Sequence, residues 1–148
     1  MGSSLSAVYE LKPGRYFLFG LDHGSEIVAS ITALAESLGV EAGMVSGIGA
    51  LKDAAIGYYD QEAHEYRTVE IDRPIEIANL TGNVSIRDGR PFLHAHATLA
   101  DSQGMVRGGH LNRGTVFAAE VSIQELLGRP PSRSLDPVTD LFLWRDGV

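Results

Sequence analysis

Only one stretch of this chain repeats its apolar residues at helical spacing. Ile27, Ile31, Leu34, Ala35 and Leu38 fall on one side of a helix, with Glu26, Ser30 and Ser37 off that face and Gly39 after its end. Ser25 or Asp22 is the expected cap, so a helix is predicted over about 25–38. The remainder breaks into short alternating or apolar runs bounded by turn residues. Strands are expected at 15–21 (after a Lys12-Pro13-Gly14 turn), at 42–48 and 54–59 on either side of a glycine-rich step, and at 66–71. Further strands are expected at 75–86, with Thr81-Gly82-Asn83 as a candidate bend, and at 92–99, 105–111, 115–124 and 141–144, with a loop over 128–136. Asp88-Gly89 is a strong hairpin signal. One helix and many strands predict an α+β domain built on a largely antiparallel sheet, with the helix covering one face.

At 148 residues the chain has the size of one domain, with its core over about 9–145. No apolar run approaches the roughly 20 residues of a spanning helix, and residues 1–6 lack the pattern of a secretory leader. Cysteine is absent, which removes disulfides and thiolate chemistry and suits a cytoplasmic setting. Twelve basic residues stand against 19 acidic ones, for a net charge of −7. That balance is poor for neutralising a phosphate backbone and argues against direct DNA recognition.

The chemistry concentrates in Phe92-Leu93-His94-Ala95-His96-Ala97-Thr98-Leu99. In a strand, His94, His96 and Thr98 project to one face and Leu93, Ala95, Ala97 and Leu99 to the other. A three-residue loop at Ser102-Gln103-Gly104, with Gly104 left-handed, sets Asp101 opposite Met105, Thr98 opposite Gly108 and His96 opposite His110. A two-residue loop puts His110 opposite Ala95, on the wrong face, unless a bulge at Gly108-Gly109 shifts the register. A lone histidine is commonly a polar group paired to backbone or carboxylate. An H-x-H pair with a third imidazole on the adjacent strand points instead to a divalent metal, zinc or another imidazole-preferring ion such as nickel, copper, cobalt or iron. His23 and His64 have no such partners and are read as peripheral.

Metal chemistry needs proton-handling and charge-pairing groups as well. Glu76, Glu120 and Asp101 are the carboxylate candidates, Glu120 because it stands in an apolar run. Arg107 is close to His110 in sequence, and Thr98 or Asn83 is placed to orient a ligand histidine. Each charged group has a plainer reading as surface charge or ion pair. Gly47-Ile48-Gly49 lacks the spacing and following helix of a phosphate loop, and reads as a bend or bulge. Of Tyr58 and Tyr59, adjacent on a strand, at most one enters a given site.

Five segments together resemble the plants-and-prokaryotes-conserved (PPC) domain, also known as domain of unknown function 296. They are Gly43-Met44-Val45-Ser46-Gly47-Ile48-Gly49-Ala50, Gly57-Tyr58-Tyr59-Asp60, Glu76-Ile77-Ala78-Asn79-Leu80-Thr81-Gly82-Asn83, Phe92-Leu93-His94-Ala95-His96 and Gly108-Gly109-His110-Leu111. The resemblance covers about 9–144. It implies a contorted, mainly antiparallel sheet flanked by one main helix, an acetolactate-decarboxylase-like fold, a homotrimer, and a metal, commonly zinc, held by His94, His96 and His110. In plants the domain sits beside AT-hooks, and stand-alone bacterial members are often labelled DNA-binding. Gly89-Arg90-Pro91 and Gly128-Arg129-Pro130 carry only half of an AT-hook, in neutral or acidic surroundings, and read as turns. Two functions are thus expected to compete: a metal-dependent enzyme acting on a small carbonyl-containing or anionic molecule, and a regulatory or DNA-associated oligomeric module with a structural or sensory metal.

Overall fold

The helical pattern becomes α1 (Ile27–Leu38), with Ile27, Ile31 and Ala35 fully buried and Gly39 in the left-handed conformation at its end. The computed structural model describes residues 7–145; residues 1–6, where no leader was read, lie outside the described residues. The cap is Glu26, one residue past the expected Ser25. Its carboxylate accepts from the Val28 and Ala29 amides and also from Gly114 N, so it ties the helix start to a strand. Ser25 instead turns its hydroxyl back to the Asp22 carbonyl. A longer side chain wins here because it serves a tertiary partner as well as the helix.

Eight strands form one sheet: β1 (Lys12–Leu21), β2 (Gly43–Asp60), β3 (Glu65–Ile71), β4 (Ile75–Arg87), β5 (Arg90–Ala100), β6 (Val106–Leu127), β7 (Ser132–Leu135) and β8 (Phe142–Arg145). The order is β3-β2-β6-β5-β4-β7-β8, with β1 on β6 and a further pairing between β2 and β4. That extra pairing closes β2, β6, β5 and β4 into a circuit, which is what contorts the sheet. All pairings are antiparallel except β4 with β7.

Several sequence boundaries are corrected. The segments expected at 42–48 and 54–59 are one strand, and those at 105–111 and 115–124 are another. Both long strands are bonded to neighbours along their length, so ladder hydrogen bonds carry them through glycine-rich steps at the cost of local register shifts. Pro13 and Gly14 lie inside β1, at a bulge, and the irregularity of β4 falls between Ile77 and Asn79, not at Thr81-Gly82-Asn83. The expected loop 128–136 contains β7.

The core gathers the inward residues of the circuit and α1. Leu93, Ala95, Ala97 and Leu99 of β5 are buried with Leu80 and Val84 of β4, Val45 and Leu51 of β2, and Val116 and Ile123 of β6. The opposite face carries a different row. Leu18, Ser122, Ser46, Thr81, His96 and His110 are successive cross-strand partners. Directly opposed residues share a face, so the histidines stand on the side of the sheet turned away from the core.

Candidate metal centre

The turn after β5 fixes the register of the site. Asp101 N bonds Met105 O at 3.0 Å, Gly104 N bonds Asp101 O at 2.9 Å, and Gly104 has φ +75. Glycine reaches that left-handed conformation without the steric penalty a Cβ would impose. The Asp101 carboxylate accepts from Gln103 N and Met105 N, so this acid serves the turn and not the histidines. The resulting ladder pairs Thr98 with Gly108 and His96 with His110, as the three-residue loop requires.

His94, His96 and His110 converge. One ring nitrogen from each lies within 4.8 Å of the other two, and ring centroids are 5.2–5.7 Å apart. His96 is exposed; His94 and His110 are half-buried. Burial, with positive neighbours adding to it, pushes the His94 pKa down to about 4; burial also lowers His110, with His96 and Arg133 contributing. Both rings are therefore neutral near pH 7 and hold free lone pairs. His110 Nδ1 is buried without a hydrogen-bond partner. An orphaned imidazole nitrogen among two other imidazoles suits a divalent cation, since coordination would satisfy it.

These shifts set a pH dependence for the metal-free protein. An unfolded histidine titrates near 6.5, so acid favours the unfolded chain, in which both rings protonate more readily. Stability is expected to be undiminished by these groups above about pH 6.5 and to fall progressively toward about pH 4. Glu125, held by Arg15 at about 2, gives stability that is lost only below about pH 4.5. Urea midpoints between pH 7.5 and 4.5 therefore isolate the histidines, and a flat profile there would contradict their burial.

Around the cluster lies a cleft of about 390 Å³, lined by His94, His110, Tyr66, Arg87, Phe92 and Arg133, with Leu141, Phe142 and Leu143 on one wall. Asn83, the cross-strand partner of His94, accepts from Arg133 Nη2 at 3.0 Å, and the same nitrogen stands 3.4 Å from His94 Nδ1. Asn83 thus reaches His94 through Arg133. Thr98 is on the histidine face, one step along β5, and exposed.

The other candidates lie elsewhere. Glu76 lines a separate pocket with Pro74 and Phe117. Arg107 pairs with Leu99, out of phase with His110, and faces Glu70 and Arg73. Glu120 is exposed on β6 between Gly20 and Ile48, with β2 and β4 between it and the histidine pair. Its apolar flanks are buried on the opposite face, which removes the desolvation that singled it out.

His23 meets the Phe117 carbonyl, and His64 pairs with Asp140; neither joins the cluster. Two site residues escape the sequence. Tyr66 packs with its ring centroid 5.5 Å from that of His110 and tilted against it, while Tyr58 is exposed and Tyr59 bonds the Thr139 carbonyl. Arg133 arrives on β7. In the sequence it is one of two arginines in a proline-containing loop, with no spacing signal toward His94.

The fold and the three-histidine cluster define a β-rich domain of a recognisable class. The family profile of the Plants and Prokaryotes Conserved (PCC) domain matches residues 9–127, and the chain belongs to that family, the one its motifs resemble. Among solved structures, a metal-containing protein from Archaeoglobus fulgidus is 45% identical, with TM-score 0.91 over 94% of this chain and 99% of that one. A plant- and prokaryote-conserved protein from Pyrococcus horikoshii is 37% identical, with TM-score 0.88 over 99% and 98%. A protein from Ralstonia eutropha JMP134 described as a candidate DNA-binding protein is 28% identical, with TM-score 0.77 over 88% and 94%. The fold extends to a Staphylococcus aureus protein described as similar to alpha-acetolactate decarboxylase, at 14% identity and TM-score 0.50 over 77% and 53%. The bifunctional protein GlmU of Synechococcus sp. strain JA-3-3Ab is 32% identical over 119 residues, 78% of this chain, and the chain spans 18% of its length.

Proposed function

We propose that this protein binds one divalent metal ion, zinc or a similar imidazole-preferring ion, through His94, His96 and His110, and that the bound ion serves chemistry on a small molecule in the adjoining cleft. The observation that carries the reading is the orphaned His110 Nδ1 within a cluster of three imidazoles that opens on a cleft. The metal-containing relative from Archaeoglobus fulgidus supports it. Three protein ligands leave a coordination position for substrate or water, the arrangement of reactive zinc sites. When bound, such an ion supplies Lewis-acid polarisation of a carbonyl and activation of water.

The chain's own groups do the remaining work. Burial lowers the pKa of His94 and His110, so protons compete less for the nitrogens of these two rings. Phe92, Leu141, Phe142 and Leu143 keep the approach apolar. Tyr66, packed on His110, places a phenolic O–H donor at the cleft.

The histidine face also carries exposed Tyr16, Leu18, Met44 and Ile48 on β1 and β2, with Leu18 at 79% exposure. Apolar exposure of this kind suits self-association, and we extend the proposal to a homotrimer formed through this face. A DNA-associated role has the Ralstonia relative in its favour and the net charge of −7 against it.

Elemental analysis of protein purified without a metal-affinity step, paired with solution mass, tests both parts. The expected result is about one divalent ion per chain, following the three-ligand layout, at three chain masses. Protein that carries no metal and takes none up on titration would overturn the site, and a monomer would overturn the trimer.

A further inference from the structure

Arg133 stands out as a half-buried cation with no carboxylate within ion-pairing distance among the described residues. Its guanidinium is held entirely by neutral acceptors. Nε donates to Ser85 Oγ at 2.8 Å, Nη1 to the Phe142 carbonyl at 3.0 Å and Nη2 to Asn83 Oδ1 at 3.0 Å. Ser85 is fully buried, so the fork is anchored from below. Phe92 and Trp144 lie 5.6 Å and 5.4 Å from its central carbon. Of five N–H donors, these bonds use three, and the second Nη2 hydrogen faces His94 at 3.4 Å. One Nη1 hydrogen is left without an acceptor.

A second cation, Arg87, lines the same cleft, its central carbon 3.6 Å from the Phe142 ring centroid and 5.2 Å from that of Phe92, and among the described residues its one ion-pair partner is the exposed Asp88, at 3.7 Å. Among the described residues Asp140 is the one acid on the cleft wall, and it pairs with His64. The electrostatic sum is therefore one-sided. Imidazole ligands bring no negative charge to offset a divalent ion, and the ion's own charge belongs in the account. Adding Arg133 and Arg87 makes a partly dry cleft strongly positive, which a bound anion would relieve.

We propose that Arg133, assisted by Arg87, is the recognition element for a small organic carboxylate that occupies the cleft beside the three histidines. The proposal rests on the metal reading above for the ligand's second attachment point, and on Arg133 itself for the first. The free Nη1 hydrogen offers one charge-assisted bond to a carboxylate oxygen, and the fixed guanidinium charge beside it adds to the attraction. The volume of about 390 Å³ fits a small molecule, and Phe92, Leu141 and Leu143 offer apolar contact to its carbon skeleton. A phosphate dianion would ask for more free donors than the tethered Arg133 retains.

The test is calorimetric titration of zinc-loaded protein with acetate, pyruvate and succinate, with neutral pyruvamide and inorganic phosphate alongside, in wild type and Arg133→Gln. Zinc content and thermal midpoint are recorded for each protein. At least one carboxylate should bind wild type, and Arg133→Gln should weaken it roughly tenfold or more, the loss of one charge-assisted pair. The variant is brought to the zinc content of wild type before titration, and its binding of pyruvamide should fall far less than its binding of the carboxylate. Equal carboxylate binding in both proteins, no carboxylate binding to wild type, or tighter binding of phosphate would each overturn the proposal. If Arg133→Gln fails to fold, Arg87→Gln, which alters no hydrogen bond of the Arg133 anchor, should weaken the same carboxylate measurably, and no change would again overturn it. Wild type that takes up no zinc would fail the metal reading alone. The same titrations on that zinc-free protein would then decide the arginine separately, a tenfold loss upholding it and equal binding overturning it.

Discussion

Replacing His96 with alanine is expected to take bound divalent metal from about one ion per chain to background, because removing one imidazole leaves only two protein ligands. His96 is the cleanest of the three positions to test. It is exposed and lies on the side of β5 away from the core, whereas His94 and His110 are half-buried. Its removal should cost the fold no more than a typical surface substitution, about 0.5 kcal/mol. Loss of metal would then report on the site and not on unfolding. His23→Ala is the control, since His23 meets the Phe117 carbonyl at 2.9 Å, outside the cluster, and should leave metal untouched. Elemental analysis of the two variants beside wild type gives the answer. Equal retention in both would remove the three-histidine site.

Gly82→Ala is expected to destabilise the protein by about 3 kcal/mol or more, at the upper end of what overpacking costs. A Cβ at Gly82 would sit 2.2 Å from the His94 carbonyl oxygen and 2.8 Å from Ala95 Cα. Both neighbours are backbone atoms of β5, so no side-chain rotation relieves the clash. The strands would have to part at the pairs Gly82 with Ala95 and Asn83 with His94, which support the candidate ligand and its arginine. Metal affinity should therefore fall along with stability. Gly20→Ala provides the contrast, because a Cβ there meets nothing nearer than the Ala119 carbonyl at 3.9 Å. Urea denaturation of the two variants separates them, and a loss at Gly82 below about 1 kcal/mol would show that β4 and β5 yield more easily than backbone packing allows.

The two predictions draw on different kinds of information. The His96 and His110 pair was legible from residues 92–110 because a hairpin is a local object. A loop of Ser102, Gln103 and Gly104 fixes which residues oppose one another, and strand alternation then fixes the face. The helix was legible for the same reason, its apolar stripe and terminal glycine lying within a dozen residues. The Asp88-Gly89 hairpin likewise sets Gly82 opposite Ala95, but how closely the two backbones approach there is decided by the packing of the sheet and is not written in the register.

Candidates chosen by proximity in sequence fared worse than those chosen by alternation. Arg107 lies three residues from His110 and so on the other side of β6, while Glu120 shares the histidine face but lies across the sheet from the pair. Proximity along a strand does not place two side chains together unless their separation is even and small. Asn83, expected to orient a ligand histidine, lies opposite His94 and accepts from Arg133, a residue with no sequence signal toward the site.

The sequence by itself determined the α+β class, the one helix, the β5–β6 register and the meeting of His96 with His110, all of them set by turns and periodicities spanning a few residues. Tertiary structure alone decided that β2 and β6 run unbroken, that β2 closes on β4, and that β7 lies parallel to β4 and delivers Arg133 to His94. Those outcomes depend on hydrogen bonds between strands far apart in the chain. Their register is chosen by the packing of the whole circuit, and no local pattern of residues records it.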